Sequence, residues 1–126
     1  VYCFKPAYLG LQDALSFHNL WEQETIPVII TSKKIRQGIR KIMNGNVLIR
    51  RINKKYLFGF DYYEINNIYL PYSDIEKTFI DLIYFKEKIN KETLNNIRER
   101  INKKRLSFYL KLYPKRIKKL VSNNLL

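Results

Sequence analysis

Pro71-Tyr72-Ser73-Asp74-Ile75-Glu76-Lys77-Thr78-Phe79-Ile80-Asp81-Leu82-Ile83 is the stretch at which the chain changes its period. Ser73-Asp74-Ile75-Glu76 has the form of a capping box, in which the Ser73 hydroxyl accepts from the Glu76 amide while Glu76 reaches back. Ile75, Phe79, Leu82 and Ile83 then recur at helical spacing. Asp81 follows Lys77 by four residues, the spacing of an ion pair along one helix face.

Upstream, most segments alternate or run β-branched. Pro27-Val28-Ile29-Ile30-Thr31 reads as a strand entered through a proline. Val47 to Ile52 and Tyr56 to Phe60 read as two strands joined at Asn53-Lys54-Lys55. A further strand pair bends at Asn66-Asn67, with Ile65, Ile68 and Leu70 available to a core, and Pro71 closes the β region. Two helices interrupt this half: residues 10–20, with Leu11, Ala14, Leu15 and His18 on one stripe, and a segment carrying Ile35, Ile39 and Ile42 that Gly45 ends.

Downstream everything is helical. Asn90 is an N-cap for a helix burying Leu94, Ile97 and Ile101. Leu106, Tyr109, Leu110 and Tyr113 mark another, and Pro114 opens a last one carrying Ile117, Leu120 and Val121. The expected fold class is therefore α+β: a small antiparallel sheet in the first half, with helices packed on one side of it. No repeat and no Gly/Ser/Pro linker divides residues 1–126, so one domain is expected.

Composition narrows the function classes. Apolar residues make up 46% and charged residues 28% of the 126, the balance of a folded domain. Apolar runs such as Pro27 to Ile30 are only a few residues long, far too short to span a bilayer, so no membrane partner is expected, and the lone cysteine suits a reducing, cytoplasmic setting. A single cysteine, Cys3, excludes an intrachain disulfide and a cysteine-based zinc site.

The net charge of +13 is concentrated in two blocks. Residues 33–55 carry nine basic and no acidic side chains, and residues 98–126 carry ten basic and one acidic. The remaining segments, 1–32 and 56–97, are net −2 and −3. Such clustering points to phosphate. A competing explanation is codon bias, since Ile, Lys, Asn and Tyr make 55 of the 126 residues, as in translation of an AT-rich genome. Bias of that kind explains neither the eight arginines nor the absence of acids from the first block.

Catalytic chemistry finds little support. His18 is the only histidine and lies on an apolar stripe, where a packed, hydrogen-bonded ring is the usual outcome. The four glycines form no phosphate loop. No Asp or Glu stands two residues before a lysine, so the acid-x-Lys signature of many nucleases is missing. Asp74-x-Glu76 superficially resembles the metal-binding acid pair of nucleotidyltransferases, but it lies within the capping box. No catalytic residue, metal or cofactor is expected.

Two segments resemble a known family. Tyr8-Leu9-Gly10-Leu11-Gln12-Asp13-Ala14-Leu15-Ser16-Phe17-His18-Asn19-Leu20, followed by Pro27 and a strand, is similar to a signature of AbiEi-type antitoxins. In that family a tyrosine precedes a Ser-Ala-Leu helix that ends in His-Gly-Leu. Here Asp13 replaces the serine, and Asn19 replaces the glycine, a change that left-handed backbone angles tolerate. Asp74 to Ile83 is similar to the family's Pro-Glu-Lys-Thr/Ala-Leu-Leu-Asp-Leu helix.

The resemblance implies a prokaryotic transcriptional regulator and antitoxin of a type IV toxin–antitoxin, or abortive-infection, system. Its functional partner would be a cognate nucleotidyltransferase-like toxin, countered without a tight protein complex. Residues 1–126 would correspond to the C-terminal antitoxin domain, with Val1-Tyr2-Cys3-Phe4 as the end of an upstream winged helix or its linker. His18, Glu76 and Asp81 would be structural members of the family motifs.

Full-length relatives also turn a positive face to DNA through this domain, which suits the basic blocks. Double-stranded DNA is thus the expected partner, through phosphate contacts that position a protein without reading sequence. Lys33, Lys34, Arg36, Arg40 and Lys41 would act from one helix, and Arg50, Arg51, Lys54 and Lys55 from a hairpin tip. Lys103, Lys104, Arg105, Lys115, Arg116, Lys118 and Lys119 would act from the last helices. Tyr62, Tyr63 and Tyr72 are candidates for stacking on bases. The alternative is a protein-interaction domain whose basic face docks an acidic partner without touching nucleic acid. A third, a divergent nuclease, requires metal-dependent cleavage that Asp74→Ala abolishes.

Overall fold

A computed structural model of the chain describes residues 5–23, 25–42 and 45–125. The segment Val1-Tyr2-Cys3-Phe4 lies outside the described residues. In chain order the elements are β1 (Ala7–Leu9), α1 (Leu11–Phe17), β2 (Val28–Thr31), β3 (Gly38–Ile42) and β4 (Gly45–Arg51). A 3-10 turn (Lys54–Tyr56) leads to β5 (Phe60–Ile65) and β6 (Ile68–Ser73). Four helices complete the fold: α2 (Ile75–Tyr84), α3 (Lys91–Arg100), α4 (Lys103–Leu110) and α5 (Lys115–Leu125).

The strands form a six-stranded sheet in the order β3-β4-β2-β1-β6-β5. It is mixed, which corrects the expectation of a small antiparallel sheet. β2 runs parallel to β4, pairing Ile29 with Ile49, and β1 runs parallel to β6 at Leu9–Tyr72. The antiparallel pairs are β1–β2, β3–β4 and β5–β6. β1, which bridges the two halves of the sheet, has only three residues and leads at once into α1. So short a segment has no readable period.

The segment expected as a helix around Ile35, Ile39 and Ile42 is not one. Gly38 has φ +121, outside the helical region, and β3 pairs with β4 from Gly38–Ile49 to Ile42–Gly45. Gly45 opens β4 and ends no helix. The intervals of four and three between these isoleucines fit a helix, yet Ile39 is 69% exposed on the edge strand. Tyr56 to Phe60 is likewise no strand: the chain turns at Lys54–Tyr56 and again at Gly59, φ +77. Asn66 and Asn67, φ 51 and 66, make the tight turn of the β5–β6 hairpin. Ile68 beside them is exposed, whereas Ile65 and Leu70 pack. Pro71 does not close the β region; it is buried inside β6, opposite Tyr62. β1 meets β6 at one register pair only, so β6 is nearly an edge there, a position proline tolerates.

The expected Ser73–Glu76 capping box does not form; the N-cap falls one residue later, and Glu76 does not reach back. β6 continues through Ser73, so Asp74 is the N-cap of α2, accepting from the Lys77 amide at 2.8 Å. Ser73 Oγ instead shares a hydrogen bond with Thr78 Oγ1 at 2.7 Å. Asn90 caps α3, accepting from the Thr93 amide at 2.7 Å.

Side-chain alternation along the strands separates two cores. Tyr8, Val28 and Ile30 face the helices and pack with Phe79, Leu82, Ile97, Ile117 and Val121. Ala7, Leu9, Ile29, Ile49 and Tyr72 form the opposite face with Ala14 and Phe17 of α1. α1 spans both, since its Leu11 and Leu15 join the first core.

Candidate nucleic-acid interface

All the predicted phosphate-contacting residues are exposed except Arg50, which is half-buried. The fold does not group them as expected. Because β3 is a strand, Arg40 and Lys41 project to opposite faces, opposite Val47 and Asn46. Arg50 and Arg51 diverge for the same reason. Arg50 turns toward the end of α2, 4.5 Å from the Phe85 ring centroid and 3.4 Å from the Glu87 carboxylate. Lys54 and Lys55 sit in the 3-10 turn, not at a hairpin tip.

What joins the two basic blocks is an aromatic pair. Tyr56, next to Lys54 and Lys55, stacks on Tyr113 with 4.3 Å between ring centroids and 6° between planes. Tyr113 precedes Pro114 and the start of α5. The turn is thereby held at the N-terminal end of a helix that buries Ile117 and Val121 and exposes Lys115, Arg116, Lys118 and Lys119. Lys115, Lys118 and Lys119 follow the i, i+3, i+4 spacing of one helix face.

The helix ends in this region are inverted electrostatically. α2 and α3 carry Glu76 and Glu92 in their first turns, as the helix dipole favours. α4 and α5 carry no acid there and begin Lys103-Lys104-Arg105 and Lys115-Arg116. A cation at a helix N-terminus is unfavourable, and an anion there is favourable. Among the described residues, Arg105 is the one member of this set that faces carboxylates, 3.5 Å from Glu76 and 3.9 Å from Asp74.

Two of the three motif residues, His18 and Glu76, meet at a different place, and Asp81 does not join them. His18 Nε2 lies 2.7 Å from the Ser73 carbonyl, and the His18 carbonyl accepts from Arg100. Glu76 does not reach back to its own helix start; it accepts from the Asn102 amide at 2.8 Å and so holds the entry to α4. Tyr109 donates to Asp74. His18, Asp74, Glu76, Arg100 and Asn102 line a cleft of about 290 Å³, with Tyr63 and Arg105 on its walls. Asn19, after His18, adopts a left-handed φ of 59, which asparagine tolerates.

Asp81 is completely buried, 2.6 Å from the Lys77 ammonium. Tyr8 donates to its other oxygen at 2.5 Å, and Lys77 donates to the Tyr113 hydroxyl at 2.7 Å. Burial pushes the Asp81 carboxyl up and the Lys77 ammonium down, and their mutual contact opposes both. Burial, with the Asp81 charge adding to it, pushes the Tyr8 phenol well up, so it stays a donor. The i, i+4 spacing foretold the ion pair; nothing local foretold Tyr8 and Tyr113.

The three candidate stacking tyrosines separate. Tyr72 is buried and stacks on Phe17 at 4.1 Å, Tyr63 is half-buried against the same ring, and Tyr62 alone is exposed, at 52%. Tyr72 is thus a core residue, placed there by its pairing with Leu9. Lys111 and Phe108, passed over in the sequence, stand exposed beside the last basic helices. Among the described residues no helix is long and apolar enough to cross a membrane. No protein-family model matches the chain, and no curated protein matches it.

Proposed function

We propose that this chain is a nucleic-acid-binding domain that works by contact and not by catalysis, holding phosphate backbone on the basic surface joined by Tyr56 and Tyr113. The observation that carries this is the meeting of Lys54 and Lys55 with the cationic first turn of α5. Cations gathered at a helix start repel one another and oppose the dipole, and a bound phosphate relieves both. The carboxylates that a nuclease would use have other work: Asp74 caps α2 and accepts from Tyr109, and Glu76 holds Asn102.

The test is fluorescence anisotropy of a random double-stranded DNA titrated with salt. Affinity is expected to fall steeply, by about 0.9 in log K per phosphate contact per decade of salt. Reversing Lys54, Lys55, Lys118 and Lys119 together is expected to flatten that slope. No binding at low salt would overturn the proposal and leave a basic face that docks an acidic protein.

An AbiEi-like antitoxin role is the second reading, favoured by one observation. The two motifs that resemble the family, far apart in sequence, pack as one unit through Tyr8–Asp81 and His18–Ser73. Co-expression with a nucleotidyltransferase-like toxin of this kind of system tests this role: growth is rescued if it holds and stays arrested if it does not.

A further inference from the structure

The basic C-terminal region has one apolar interruption. From Arg100 onward the chain contains nine basic residues and no acid, yet Phe108 and Leu112 are 66% and 60% exposed in its midst. With Phe58, Gly59 and Tyr109 they line a groove of about 400 Å³, within the ~300–1,000 Å³ typical of ligand pockets. Its walls are fixed: Phe58 meets Tyr109 edge to face at 5.1 Å, and the backbone at Gly59 is backed by the Lys77 stem. Among the described residues, Lys111 is the only charged one lining it, its ammonium 5.7 Å from the Phe108 ring centroid. Lys104 lies one helical turn before Phe108.

We propose that this groove receives an unpaired base of a single-stranded nucleic acid, stacked against Phe108, while Lys104 and Lys111 hold the flanking phosphates. The proposal rests on the nucleic-acid reading above and specifies its ligand. Aromatic faces set among cations are how single strands are held without sequence preference, since every base has a π-face. A duplex keeps its bases paired and stacked and presents none. The unrelieved positive charge selects a polyanion over a neutral apolar segment.

The experiment compares three fluorescein-labelled probes at one salt concentration: a dT 12-mer, a 12-mer of abasic sites with the same phosphates, and a 12-base-pair duplex. The dT strand is expected to bind roughly tenfold or more tightly than the abasic strand. Phe108→Leu, which keeps the groove apolar but removes the ring, is expected to erase that preference and leave the salt slope unchanged. Phe108→Trp is expected to preserve it. Equal binding of dT and abasic strands, with Phe108→Leu neutral, would overturn the inference, leave phosphate binding intact and assign the groove to an apolar protein segment. Failure of all three probes to bind at low salt would sink the nucleic-acid reading itself and this inference with it.

Discussion

The Lys77 ammonium lies 2.6 Å from the Asp81 carboxylate, and neither side chain reaches solvent. Around the cation stand three aromatic rings, Phe58 at 4.9 Å, Tyr113 at 5.4 Å and Tyr8 at 5.8 Å. The pair links α2 to β1 through Tyr8 and to the stacked tyrosines through Tyr113. An internal ion pair so enclosed fixes where the basic turn and α5 meet.

Its removal one partner at a time is expected to be costly. Asp81→Ala strands a buried ammonium and leaves the Tyr8 hydroxyl unpaired, for about 3–5 kcal/mol. Replacing both as Lys77→Met with Asp81→Leu is expected to recover most of that loss, because no buried charge remains. Urea unfolding of the three proteins checks it. A double variant no more stable than Asp81→Ala is the outcome that speaks against the pair.

Gly59 is the glycine on which the Lys77 site depends. Its φ of +77 disfavours any side chain, and a Cβ there would meet Lys77 Cβ and Cγ at 2.8 Å. Gly59→Ala is expected to cost about 2–4 kcal/mol, combining left-handed backbone strain with overpacking. Gly45→Ala, which adds a methyl to open space, is expected to change stability by no more than about 0.5 kcal/mol. Equal thermal midpoints for the two variants would contradict this account.

Asp13 gives the fold a pH dependence of definite sign. Burial pushes its carboxyl up to about 6, against weaker opposing hydrogen bonds from the Val28 amide and Tyr72. Folding therefore favours the protonated acid: its contribution is complete below about pH 4 and is lost as pH rises to about 6. Asp13→Asn is expected to stabilise the protein by about 1–2 kcal/mol above pH 6, less than full burial would give, because the group is partly solvated. The gain should vanish near pH 4. Denaturation of both proteins at pH 4 and pH 7.5 decides it, and an unchanged difference between the two pH values removes Asp13 as the cause.

The second half of the chain was legible because its signals are local. Asn90 and Pro114 mark helix starts, and Ile75, Phe79 and Leu82 repeat within one helix. The Asn66-Asn67 turn was legible for the same reason. The sheet was not: β1 is too short to show alternation, and the parallel pairs Ile29–Ile49 and Leu9–Tyr72 join residues with no local link. β3 imitates a helix because an exposed edge strand need not bury alternate residues. For the basic surface, charge clustering was visible along the chain, but the Tyr56–Tyr113 stack that brings the blocks together is encoded by no sequence signal.

That stack divides the cations into two kinds, which DNA binding should tell apart. Lys54, Lys55, Lys118 and Lys119 are exposed and face no carboxylate among the described residues. Arg50 and Arg105 are already paired, with Glu87 and with Glu76 and Asp74. Neutralising Lys54 and Lys55 to Gln is expected to lower the salt slope by about 1–2, and Lys118 with Lys119 by a similar amount, near 0.9 per lost contact. On one DNA site the two losses add in the salt slope, because each lost phosphate contact removes its own share. Arg50→Gln and Arg105→Gln are expected to leave the slope almost unchanged, because their charges are spent within the protein. A slope that falls equally for every arginine and lysine removed would mean that net charge alone, and not this arrangement, governs binding.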